Sequence, residues 1–223
     1  MNKLPKLLIL LIFLGLGFIG EKTATVSAQE SSISGETTSL DGTLYTNELF
    51  DLSISKPEGW YAQSTEELLQ MQQLGASLIS GDNKNLQATL KESLKTSLPL
   101  FSFYQYPLGS PTPSNANIAG VAENISLYPG IKQGCDYLYH AKQIIAQSQF
   151  RIEFADECLT KNVNNSEFGY FNASINLGQV EIKQRYYACV KDTHAISIVQ
   201  TYTTPEESQK VDRVLDTLSL KCN

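Results

Sequence analysis

Four cysteines, two histidines and a single tryptophan are the side chains with the most specific chemistry in this 223-residue chain. Cys135, Cys158, Cys189 and Cys222 are widely separated. A thiol redox or metal site needs close spacing such as C-x-x-C, which no pair here has, so structural disulfides are expected. Asp136 and His140 stand four apart in a segment of helical periodicity, so both can face one side and share a cation. Two ligands are too few for a tight site unless Glu157 or another acid joins them. The pair therefore reads first as neighbours on a helix surface, with metal binding as the alternative. His194 lies beside Asp192 in a predicted turn, where polar turn chemistry accounts for both.

Nucleophilic catalysis requires a serine or cysteine with a base that a third group orients. The chain contains no G-x-S-x-G elbow, no H-E-x-x-H and no glycine-rich phosphate loop. Acidic residues are plentiful, but none forms a pair set apart by an apolar setting. The expectation is no catalytic residue and no cofactor. Two features point to binding instead. The stretch from Pro107 to Asn117 carries Pro107, Gly109, Pro111 and Pro113, which makes it a surface loop longer than a connector needs. Trp60 follows a turn, where it either lines a pocket or anchors the first hairpin in the core.

The address comes from the N-terminus. Lys3 and Lys6 precede an apolar run from Leu7 to Ile19, and Val26-Ser27-Ala28 offers small residues at the −3 and −1 positions of a cleavage site. Residues 1–28 read as a signal peptide, so the mature chain starts near Gln29, where disulfides persist. The run has 13 residues, against the roughly 20 that a membrane-spanning helix needs. A retained N-terminal anchor is the alternative. No cysteine near the cleavage site supports a lipid anchor, and no later segment reads as an integral span. Removing three lysines and one glutamate from the 17 basic and 23 acidic residues leaves 14 and 22, a net charge of −8. No basic footprint remains for nucleic acid. Residues 29–44, rich in Ser, Thr, Glu and Gly, read as a flexible lead-in, and 45–223 as one domain.

Within that domain, Tyr45 to Ser55 predicts two short strands around Asn47-Glu48, followed by a turn and extended chain at Trp60-Tyr61. Ser64 and Glu67 form a capping box for a helix to about Ser80, with Leu68, Met71, Leu74 and Leu78 as its apolar stripe. Leu86 to Ser97 fits either helix or strand. Pro99 to Tyr106 is aromatic and β-prone, the best candidate for a central strand. Ile118 to Leu127 is a further strand, and Cys135 to Ala146 a helix with Leu138, Ala141 and Ile145 on one face. Four strands follow, Phe150–Leu159, Phe168–Leu177, Val180–Val190 and Ala195–Thr203, the last three joined by tight turns. Thr204, Pro205 and Glu207 open a final helix whose stripe is Val211, Val214, Leu215 and Leu218. The order of elements gives an α+β fold, an antiparallel sheet with helices packed on it.

Four cysteines allow three pairings, and spacing cannot choose among them. The topology biases the choice. The helix from Cys135 and the strand from Phe150 run antiparallel, bringing Cys135 towards Cys158. The final helix returns along the strand from Ala195, bringing Cys222 to the turn after Cys189. Cys135–Cys158 and Cys189–Cys222 are therefore the expected pairs, each worth about 3 kcal/mol in the chain-entropy estimate. The sequons at Asn124, Asn164 and Asn172 matter only in a eukaryotic secretory pathway.

The segment F-D-L-S-I-S-K-P-E-G-W, Phe50 to Trp60, resembles the opening of the PsbP-like α/β/α sandwich superfamily. Q-T-Y-T-T-P-E-E-S, Gln200 to Ser208, and V-L-D-T-L-S-L, Val214 to Leu220, resemble its close. The resemblance covers about Tyr45 to Leu220 and is nearest to small exported bacterial members. It implies a curved antiparallel sheet with helices on both faces, working as an accessory or binding module and not as an enzyme. Photosynthetic members are lumenal and associate with photosystem II. The helix from Ser64 to Ser80 and the four cysteines depart from them, and no metal ligands of those members match here. The expectation is an exported accessory protein that contacts a protein partner in the cell envelope. Its compartment is the periplasm, the thylakoid lumen if the source is photosynthetic, or the exterior. The alternatives are a divalent-ion or small-ligand binder, and a secreted hydrolase or toxin-immunity protein.

Overall fold

A hairpin opens the structure, a computed structural model that describes residues 38–223. The signal assigned to 1–28 and most of the lead-in lie outside the described residues. Strands β1 (Thr38–Asp41), β2 (Leu44–Asn47) and β3 (Leu52–Ser55) form a three-stranded antiparallel sheet. The hairpin thus begins inside the stretch expected as a flexible lead-in. Its cause is Gly42, at φ +60°, which opens a two-residue turn between Asp41 and Leu44.

Seven strands form the main antiparallel sheet in the order β4-β5-β6-β10-β9-β8-β7. They are β4 (Tyr61–Ala62), β5 (Ser97–Tyr104), β6 (Asn117–Asn124), β7 (Ile152–Val163), β8 (Ser166–Asn176), β9 (Glu181–Lys191) and β10 (His194–Tyr202). The last four make the expected meander. The expected central strand is displaced: β5 stands second from the edge, and β10 is in the middle. Phe101 and Phe103 of β5 are buried in one cluster with the hairpin sheet, where Tyr45 packs on Phe101 at 5.5 Å between ring centroids.

Helices α1 (Thr65–Ser80), α2 (Lys84–Leu94) and α3 (Gly134–Ile145) cover one face, and α4 (Pro205–Leu215) with the hairpin sheet covers the other. This is the expected α+β arrangement, an antiparallel sheet flanked by helices. Both expected capping boxes form, at Ser64/Glu67 and at Thr204/Glu207. The α1 stripe is rotated from its expected position, with Leu68, Gln72, Gly75 and Ile79 buried and Leu74 exposed. The ambiguous stretch becomes α2 because Asn83 caps it by accepting from Leu86 N at 3.1 Å. Cys135 is bonded to Cys158 and Cys189 to Cys222.

Candidate functional site

Helix α4 positions the residues that sequence reading marked for binding. The proline loop between β5 and β6 is pinned at its base, where Gln105 N donates to Ala116 O at 2.8 Å. Tyr106 N donates to Asn115 Oδ1 at 2.9 Å, and Asn115 Nδ2 returns a bond to Tyr106 O at 2.8 Å. Ser114 Oγ donates to Glu207 Oε1, tying the loop to the first turn of α4. Pro107, Gly109, Pro111 and Pro113 all remain exposed on this fixed base, beside the exposed Tyr106 and Leu108.

Two grooves flank α4. One, of about 230 Å³, runs between Tyr106, Pro113 and the helix. The other, of about 210 Å³, lies between Trp60, Pro57, Arg213 and Val214. Lys210 borders both, so they make one surface along the helix. Trp60 fulfils both of its sequence readings. It packs against the core cluster that holds Phe50, Leu52 and Ile54 of the hairpin sheet and its connection, and it also lines the groove. Lys210 pairs with Glu206 at 3.1 Å, whereas exposed Arg213 has no ion pair among the described residues. Lys56 Nζ donates to Trp60 O at 2.9 Å. Three cations thus surround the tryptophan of an acidic chain.

Glu207 is the keystone between loop and helix. Burial opposes its charged form. Hydrogen bonds from Ser114 Oγ, Thr203 N and Oγ1, and Thr204 N more than offset this, holding its pKa below the ordinary glutamate value. A carboxylate with a depressed folded-state pKa adds stability that is present above its unfolded value, here 4.5, and lost as pH falls through the lower folded value. Stability of the wild type is therefore expected to drop on acidification below pH 4.5, and Glu207→Gln to flatten that limb. Denaturant titrations at stepped pH check this. Equal slopes for both proteins would refute it.

The alternative reading of Asp136 and His140 as a cation site gains no third ligand among the described residues. Asp136 Oδ2 accepts from Lys132 N at 2.9 Å and Gln133 N at 3.1 Å, closing the N-terminus of α3. The His140 ring meets Tyr139 edge-on at 5.4 Å, and Glu157 is exposed on β7. Among the described residues, no three His, Cys, Asp or Glu side chains gather as metal ligands. His194 lies against Phe50 at 5.1 Å, and burial lowers its pKa despite the opposing charge of Asp192.

Sequence reading missed a cavity of about 440 Å³ beside β5. Its walls come from the hairpin (Leu40, Tyr45), the β4–α1 junction (Tyr61, Gln63) and β5 (Leu100, Ser102). The chain leaves β4 after Ala62, and Gln63 N makes the last bond to β5, on Ser102 O at 3.0 Å. Beyond that point the outer edge of β5 borders the cavity. Both amide atoms of Gln63 are buried without a hydrogen-bond partner among the described residues, whereas the Tyr45 hydroxyl lies against Asn47 and Ser102 Oγ against Tyr104. Each such group costs roughly 1–3 kcal/mol when left unmade. Burial pushes the Tyr45 hydroxyl up to about 12, with Asn47 offsetting part of the effect, so it stays protonated. No spacing signal joins these residues, because they meet only through the tertiary fold.

No protein-family model matches the chain, and no curated protein matches it. Solved structures do. The chain is similar in fold to a cyanobacterial PsbP. That protein, from Synechocystis sp. PCC 6803, aligns at a TM-score of 0.45 and 10% identity, over 86% of this chain and 98% of its own. LpqN of Mycobacterium tuberculosis, described as involved in cell envelope biogenesis, aligns at 0.44 and 8% identity over 77% and 83%. A Bacteroides thetaiotaomicron protein aligns at 0.40 and 12% identity over 76% of this chain, which spans only 45% of that protein. These similarities concern the fold and no further property.

Proposed function

We propose that the protein is an exported, non-enzymatic accessory module that binds a protein partner along α4. The signal assigned to residues 1–28 and the two disulfides support export. The observation that carries the binding reading is the continuity of the two grooves at Lys210. It joins the exposed prolines of a pinned loop to the tryptophan and its cations. Tryptophan and arginine are the residues that most often dominate binding energy at interfaces. A fixed loop also loses little entropy on binding. The charge pattern fits an acidic partner segment with an apolar anchor for the Trp60 groove.

Affinity capture from the source envelope, with the oxidised chain as bait, tests this. A partner held through α4 is retained by wild type, elutes with rising salt, and is lost by about tenfold or more in Trp60→Ala and in Arg213→Glu. A partner held equally by both variants places the contact elsewhere. No retained partner, even after mild crosslinking, overturns the reading.

A further inference from the structure

Each of the two grooves along α4 holds one aromatic ring with a hydrogen-bond donor to spare. In one, Trp60 is half-buried, and its indole N–H, which is not sealed from solvent, donates to nothing among the described residues. In the other, Tyr106 is 39% exposed. Its hydroxyl accepts from Gln105 Nε2 at 2.9 Å, which leaves the hydroxyl proton to donate elsewhere. An indole or phenol at a surface presents an apolar face and a donor together. The two rings therefore suit a ligand that brings small apolar groups and unpaired carbonyls.

The grooves also repeat at a definite interval. Glu206 and Glu207 line one, and Arg213 and Val214, seven residues on, line the other. At roughly 1.5 Å per residue this is about 10 Å along the helix. A polyproline II segment sets every third side chain on one edge, about 9 Å apart, and its backbone carbonyls have no internal partners. A β-strand repeats on one face at about 6.6 Å, well short of the interval. A partner helix could match it at i and i+7. Its apolar stripe would then lie across Lys210 and desolvate the pair with Glu206.

Building on the proposed partner binding along α4, we infer that the bound segment is an acidic polyproline II stretch with prolines or small apolar residues at i and i+3. These fill the two grooves, and Trp60 and Tyr106 donate to the segment's carbonyls. Acidic residues at i+1 and i+4 stand on the adjacent edge, where they meet Lys210 and the exposed Arg213.

The capped peptide Pro-Glu-Pro-Pro-Glu-Pro is the probe, titrated into the oxidised chain. Trp60 is the single tryptophan, so its fluorescence reports one groove, and amide NMR follows Tyr106 in the other. The expected result is a saturable change in both. Arg213→Glu is expected to weaken the probe by about tenfold or more, and Tyr106→Ala by about threefold or more. Leu127→Ala, at an 82% exposed position outside both grooves, is expected to leave binding unchanged. Pro-Lys-Pro-Pro-Lys-Pro, with the opposite charge, and Gly-Glu-Gly-Gly-Glu-Gly, without the preformed conformation, are expected to leave the signals in place at equal concentration. No saturable change with the probe overturns the inference, as does an equal response to either counterpart or full affinity in Arg213→Glu or Tyr106→Ala. An envelope partner that is held through Trp60 and Arg213 but that the probe does not displace also overturns it, and partner binding along α4 then stands. Failure of that binding shows separately, as an empty capture.

Discussion

Replacing Gly134 with alanine is expected to lower stability by about 3 kcal/mol, the upper end of what overpacking costs. Gly134 is the first residue of α3, and it sits directly on the sheet. A Cβ added there would lie 1.9 Å from Ala188 O, 2.7 Å from Ala188 C and 2.8 Å from Gly169 N. All three are backbone atoms of β8 and β9, held in a paired ladder, so no side chain can swing aside. The helix must lift instead. It buries Tyr137, Leu138, Ala141, Ile144 and Ile145, and its first turn carries Cys135, so displacement loosens packing and strains closure of the Cys135–Cys158 loop. Gly169 faces the same junction, its Cβ position 2.6 Å from Cys135 N. For a domain of this size the melting midpoint is expected to fall by roughly 6–12 °C. Gly130→Ala is the control, because its Cβ would meet nothing within 4 Å, and its expected effect is within about 0.5 kcal/mol. Equal midpoints for Gly134→Ala and wild type would show that the α3–sheet contact gives way freely.

The glycine shows where sequence reading stops. Caps and periodicities are local, so the Thr204-Pro205-Glu207 start of α4 and its stripe of Val211, Val214, Leu215 and Leu218 are legible in the sequence alone. The cysteine pairs are legible one level up, though by different routes. Strand β7 returning along α3 brings Cys158 to Cys135. Cys222 reaches Cys189 not at the end of the final helix, as expected, but through the segment that follows α4 at Leu215. Gly134 carries no comparable signal. It stands in no turn, and its need to be small comes from Ala188, far along the chain. The expected α1 stripe errs for a related reason. Several apolar sets share a helical spacing on that segment, and packing against α2 and β5, not periodicity, selects the set with Leu68 and Ile79. The candidate sites divide the same way. Proline spacing marks the loop, and the lone tryptophan marks itself. Their junction at Lys210 and the cavity of Tyr45, Gln63 and Ser102 arise only when separate segments meet.

Removing the Cys189–Cys222 bond is expected to cost about 4 kcal/mol, above the general figure of about 3 because its loop is the longer of the two. The bond closes a sequence separation of 33 residues and holds the C-terminal segment in place. After α4 the chain returns to the sheet between the hairpin and β9. Ser219 and Ser53 exchange backbone bonds at 2.8 and 2.9 Å, Ser166 Oγ donates to Leu220 O at 2.6 Å, and Asn223 N donates to Val190 O at 2.8 Å. These contacts hold the segment alongside the sulfur bridge, so the bridge is expected to contribute mainly through the unfolded chain, which it forbids to expand. The test is the paired replacement Cys189→Ala with Cys222→Ala, which leaves no orphan thiol. Its denaturation midpoint is expected to fall by roughly 8–16 °C. Core amides of β9 and β10 should keep their relative order of hydrogen exchange while the segment from Ser219 to Asn223 opens first. Retained stability would mean that the hydrogen bonds of the C-terminal segment suffice. The fold would then not depend on an oxidising compartment, and the disulfides would lose their force as an argument for export.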